Sequence, residues 1–173
     1  MSTTASISTQ NLTSQATARA AARGSLLRRA LATSAGASAT IARLALVIVM
    51  FPHGAQKLLG WFGGYGFAGT FGFLTKSGLP APVAIAVILI EFSAPLLLLA
   101  GLGTRFAALG IGAIMIGAIA TVHAHVGFFM NWAGTQSGEG FEYHLLVLGL
   151  VGALLVQGGG RFSLDRRLGR AGA

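Results

Sequence analysis

At 173 residues the chain has the length of one domain, but only 9% of it is charged, 54% is hydrophobic and the mean hydropathy is +0.74. A soluble domain carries about a quarter charged residues because its surface faces water, so this composition excludes one and leaves lipid as the environment that fits. The formal net charge of +8 suggests nucleic acid, but no groove-reading motif accompanies it and no nucleic-acid partner is expected.

Residues 1–38 are Ser, Thr, Ala, Gln and Arg, without an acidic residue. Such a stretch buries too little apolar surface to offset its ordering entropy and is predicted to be a disordered basic tail. The same composition resembles a mitochondrial transit peptide; a bacterial cytoplasmic tail fits it as well. Four apolar runs follow, at about residues 41–59, 81–102, 106–126 and 143–156. A span needs roughly 20 apolar residues to cross a hydrocarbon core of about 30 Å. The second and third runs meet this, the first does so if Arg43 snorkels to the surface, and the fourth is the shortest. Gly110, Gly112, Gly117, Gly149 and Gly152 lie in these spans, where small residues let helix backbones approach. Between the first two runs, Trp61 to Phe67 is a Gly-rich aromatic stretch of the kind found at the headgroup level. Phe67, Phe71 and Leu74 recur at helical spacing before Gly78, which predicts a short interfacial helix over 66–77. The expected fold is all-α: an integral membrane four-helix bundle, residues 39–160, with that short interfacial helix between helices 1 and 2 and a basic tail at 161–173.

The arginines set the expected orientation. Arg19, Arg23, Arg28, Arg29 and Arg43 precede or open the first run, Arg105 sits in the mid-chain turn, and Arg161, Arg166, Arg167 and Arg170 follow the last run. The 60–79 loop has only Lys76, and the 127–141 loop has no Lys or Arg. The positive-inside rule then puts both termini in the cytoplasm, with the basic residues against anionic headgroups.

Ionisable groups within spans cost about 2.5–3.5 kcal/mol each on insertion scales and are functional candidates by default. The first span holds His53, Gln56 and Lys57, with His53 and Lys57 four apart on one face. Glu91 lies about 16 Å in from Pro80 at 1.5 Å per residue. A carboxylate at that depth requires a proton or a nearby cation, and Lys57 or His53 is the expected partner, His53 being the better placed if Lys57 snorkels outward. His123 and His125 fall near the outer end of the third span, and Glu142 and His144 open the fourth. With both termini inside, all of these share the outer half of the bundle above Glu91. Three readings compete: an ion pair that only fixes helix packing, a membrane quinone headgroup held by His and Glu, and a metal or b-type haem between facing histidines. No HxxxH spacing supports the last, and no metal is expected. Cysteine is absent, which rules out thiolate metal sites and a persulfide-forming nucleophile.

The stretch His53-Gly54-Ala55-Gln56-Lys57-Leu58-Leu59-Gly60-Trp61-Phe62-Gly63-Gly64-Tyr65-Gly66 resembles the opening signature of the DoxX family of small four-helix membrane proteins. Gly69-Thr70, Gly78-Leu79-Pro80, the lone Glu91 and Gly101-Leu102-Gly103-Thr104-Arg105 continue the resemblance, which covers roughly residues 40–160. It implies a bacterial cytoplasmic-membrane protein commonly labelled an oxidoreductase component. Relatives include the small subunit of a thiosulfate:quinone oxidoreductase and proteins complexed with a sulfurtransferase and superoxide dismutase. Without a cysteine, sulfur chemistry would have to come from such a partner. The expected function is the membrane component of a redox or oxidative-stress complex with a quinone-facing site; the alternative is a non-catalytic scaffold that anchors soluble redox enzymes.

Overall fold

The computed structural model describes residues 32–34 and 36–171, together with Gln15; most of the predicted disordered tail lies outside the described residues. The helices are α1 (Ala37–Leu59), α2 (Gly66–Lys76), α3 (Ala81–Ala100), α4 (Thr104–Ala118), α5 (Glu142–Gln157) and α6 (Leu164–Ala171). A 3-10 turn at Trp61–Gly63 joins α1 to α2, and α4 runs on through a π-helical turn at Ile119–His123. No strand occurs among the described residues.

Ala37–Leu59, Ala81–Ala100 and Thr104–His123 are each long and apolar enough to cross a membrane, with mean hydropathies of 1.4, 2.5 and 1.9. The 16 residues of α5 span about 24 Å at 1.5 Å per residue, short of a hydrocarbon core of roughly 30 Å. The 127–141 loop folds back beside its first turn, tied by Phe141 N to Gly127 O at 3.1 Å and Glu142 N to Phe128 O at 2.9 Å. Ile48, Phe106, Leu109, Ile116, Leu146 and Val156 are all more than half exposed, an apolar belt too extensive for a water-facing surface. The chain is a multi-pass membrane protein.

The bundle closes as a ring in which α1 packs on α3, α3 on α4, α4 on α5, and α5 back on α1. Its core runs through Leu46, Met50, Leu98, Ile111, Met115, Val151 and Leu154. The α1–α3 seam is the longest, because Gly54 lets the two backbones meet: a Cβ there would lie 2.2 Å from the Glu91 carbonyl oxygen. Of the span glycines read as packing points, Gly110 faces Ile90 and Gly112 faces Val151, whereas Gly117, Gly149 and Gly152 have no neighbour within 4 Å of a Cβ position. Packing in this bundle relies on alanines and Gly54 more than on those three. The interfacial helix forms as predicted, with Phe67 and Phe71 stacked at 5.9 Å, and it lies across α1 and α3.

The end of the bundle where residues 32–43 and α6 lie departs from the sequence reading. Arg43 does not snorkel; it is 2% exposed and donates to the carbonyls of Leu98 (2.9 Å), Leu99 (3.2 Å) and Phe162 (2.8 Å). The first helix begins at Ala37, so Arg43 sits nearly two turns inside it. These carbonyls lie in the last turn of α3, where Leu98 O also accepts from Gly101 N at 3.0 Å, and they take up the charge locally. Gly101 closes α3 at φ 66, a conformation glycine adopts without strain. Asp165, which the sequence reading did not single out, accepts from Gly103 N (2.7 Å) and Thr104 N (2.9 Å) and so caps α4 from α6. Arg105 donates to the α5 carbonyls Leu155 (2.8 Å) and Val156 (3.0 Å) and to Ala32 O. Thr33 and Ser34 bond Gln157 O. The segments on either side of the spans are therefore tied to the bundle at least from residue 32 and through α6.

Candidate functional site

The opposite end, where the connecting loops lie, gathers the polar groups of the spans. Lys57 Nζ and the Glu91 carboxylate form a salt bridge across the α1–α3 seam, the one ion pair among the described residues. Lys57, rather than His53, is the partner because of helical phase. Gly54 faces the Glu91 backbone, and Lys57, three residues on, shares that face, whereas His53 is turned a further 40° or so away. The Glu91 side chain is 3% exposed and that of Lys57 33%, so the lysine lies over the carboxylate with part of its stem open.

α5 brings Tyr143 and His144 against this pair. The His53 and Tyr143 rings are 6.3 Å apart and those of Tyr143 and His144 5.5 Å apart. The Tyr143 hydroxyl donates to Met50 Sδ at 3.5 Å. The π turn at the end of α4 sets the His123 ring 4.1 Å from that of His144. His144 is within electrostatic reach of His123, His53 and Lys57, and Tyr143 within that of Glu91. Lys57, Glu91, His53, Tyr143, His144 and His123 thus make one continuous cluster contributed by four helices. His144 is 7% exposed and its Nδ1 is buried without a hydrogen-bond partner. His53, beside Tyr143 where α1 meets α5, is exposed, so the cluster reaches the surface of the bundle there.

The other predicted site residues are placed elsewhere. Gln56 donates to Phe62 O at 3.2 Å and braces the loop after α1, where Phe62 itself holds a φ of 54. Glu142 turns away from the cluster and accepts from Met130 N (3.0 Å) and Trp132 Nε1 (3.2 Å), fixing the 127–141 loop. His125 is exposed beyond the π turn. Sequence reasoning missed Tyr143, although its place beside His144 and its polar tip on an apolar ring marked it. Among the described residues no three of His, Asp and Glu are grouped so as to hold a metal ion.

Chemically, the arrangement is a hydrogen-bonding site beside a charge pair, served by groups that can hold or pass a proton. The family model for DoxX matches residues 38–124, a stretch that includes His53, Lys57, Glu91 and His123 and ends before Tyr143 and His144. No curated protein and no solved structure matches the chain.

Proposed function

The chain belongs to the DoxX family, and on that premise we propose that it is the membrane-embedded component of a redox or oxidative-stress assembly with a quinone-facing site. The observation that carries this reading is a polar cluster buried among the spans with exposed groups at its edge. Glu91 and His144 are nearly inaccessible while His53 and part of Lys57 face outward at the bundle flank. A ligand arriving there comes from the lipid phase, needs an apolar body, and must carry polar atoms at one end; a quinone has that form. Lys57 and the two histidines would hold its oxygens, and the unpartnered Nδ1 of His144 is a polar atom such a headgroup would satisfy. When bound, a quinone supplies two-electron chemistry that this cysteine-free chain cannot supply itself.

We place the protein in a bacterial cytoplasmic membrane with both termini in the cytoplasm, from the distribution of arginines. Soluble partners of the sulfurtransferase or superoxide dismutase kind would meet that face. A scaffold without its own redox site is the second reading, and the row of Arg166, Arg167 and Arg170 along α6 favours it. The two are separated by purifying the full chain from membranes in mild detergent and assaying the extract for quinone and for co-purifying enzymes. Quinone near one equivalent, lost in Lys57→Met, supports the site. Enzymes retained without quinone, and no binding of an added short-chain quinone, leave the scaffold.

A further inference from the structure

We infer that the cluster takes a hydroxyl-bearing ring, the hydroquinone form, in preference to the quinone, with His123 as the group that discriminates. The inference rests on the quinone-facing reading above and specifies which form of the ligand the site is built for.

His123 is anchored to the 127–141 loop. Its Nδ1 lies 2.8 Å from the carbonyl oxygen of Glu139. A carbonyl oxygen can only accept, so Nδ1 carries the proton and donates it. A neutral imidazole has a single N–H, which leaves Nε2 of His123 with a bare lone pair. The Glu139 carbonyl is held for this purpose: the Glu139 side chain accepts from Asn131 N at 2.7 Å, and Gly140 N donates to Phe129 O at 3.2 Å, so the loop around it is braced on both sides. The tautomer of His123 is thereby set by the fold.

His144 lies beside His123. Its ring centre is 4.1 Å from that of His123, it is 7% exposed, and its Nδ1 is buried without a partner. A buried polar atom left bare is costly. No neighbouring side chain answers it: Tyr143 is turned to Met50, and Lys57 is held on Glu91. That atom can meet a ligand as donor or acceptor, because no neighbour fixes its tautomer, whereas His123 Nε2 can only accept, so a ligand reaching it must donate. A quinone carbonyl offers only acceptors and does not meet His123 Nε2. A phenolic hydroxyl donates to the histidine and still accepts from another donor, such as the remaining N–H groups of Lys57. The preference is thus for a ring that carries its protons, bound beside bases able to receive them.

The test is direct binding of one short-chain benzoquinone, in its reduced form under anaerobic conditions and in its oxidised form, to the full-length protein in lipid nanodiscs. Trp132, hydrogen-bonded to Glu142 two residues before His144, serves as the fluorescent reporter, with calorimetry as a second readout. The reduced form should bind about tenfold more tightly, the worth of one net buried hydrogen bond. His123→Phe should bring the two affinities together, while His125→Phe leaves the preference intact. His123→Phe is expected to fold, since the His123 ring is only half-buried. Equal affinities in the native protein, or a preference untouched by His123→Phe, overturn the inference and leave the quinone-facing reading standing. Binding of neither form overturns both.

Discussion

A methyl group added at Gly54 tests the seam on which the site depends. The Cβ of Gly54→Ala would lie 2.2 Å from the Glu91 carbonyl oxygen and 2.6 Å from Phe92 Cα. Ordinary contacts begin at 3.4 Å, so taking 2.2 from 3.4 leaves about 1.2 Å by which the two backbones must part. Both neighbours are main-chain atoms, and no rotamer change relieves them. A gap of 0.5–1 Å already forfeits a quarter to a half of the dispersion attraction between facing atoms, and overpacking costs about 1–3 kcal/mol. The loss here belongs at the upper end, about 3 kcal/mol, because α1–α3 is the longest seam in the bundle. That is roughly a hundredfold in the unfolding equilibrium, measurable as a shift in reversible unfolding by denaturing detergent in mixed micelles. Gly149→Ala is the control: nothing lies within 4 Å of a Cβ there, and the substitution should be neutral or stabilising by up to about 1 kcal/mol through helix propensity. If Gly54→Ala unfolds with the native protein, the close approach of α1 and α3 is not what holds the bundle.

The ion pair makes a second prediction. Glu91→Gln should destabilise by roughly 3 kcal/mol, the low end for a broken buried pair because Lys57 is 33% exposed, and Lys57→Met with Glu91→Leu should recover most of it in the same assay. Asp165→Ala removes the cap on two backbone N–H groups of α4 and should cost about 1–2 kcal/mol, with Asp165→Asn losing less; equal losses would show that hydrogen bonding at that cap is not the cause. Reporter fusions after Gly103 and after Gly138 should give opposite signals, cytoplasmic and external, and matching signals would refute the proposed orientation.

The sequence made the helices legible because length and apolar continuity are local properties, and the short helix before α3 because Phe67 and Phe71 keep helical spacing. The gathering of Lys57, Glu91, His123 and His144 followed from topology alone. What stayed hidden depends on rotation about helix axes and on long-range acceptors. Lys57 and His53 lie one turn apart on one face of α1, and only the phase set by Gly54 assigns the pair to Lys57. Glu142 reads as a member of the cluster by level, yet its carboxylate is taken by Met130 and Trp132 in a loop without regular structure. Arg43 reads as a surface cation because its acceptors are backbone carbonyls, which leave no mark in composition, and because one of them belongs to Phe162, 119 residues away.

That last separation has a consequence for the order in which the chain is made. Arg43 enters the membrane in the earliest helix, while two of its acceptors, on Leu98 and Leu99, come from the next long helix and the third only from the segment after α5. Until residue 162 is synthesised, the guanidinium is held by one neighbour instead of two, and α4 lacks its cap on Asp165. The final stretch of polypeptide therefore acts as a latch: a chain that stops short of it has its spans inserted but its first charge half-secured. An uncompleted copy differs from a finished one in stability, a distinction that membrane proteases acting on loosely held helices are able to read.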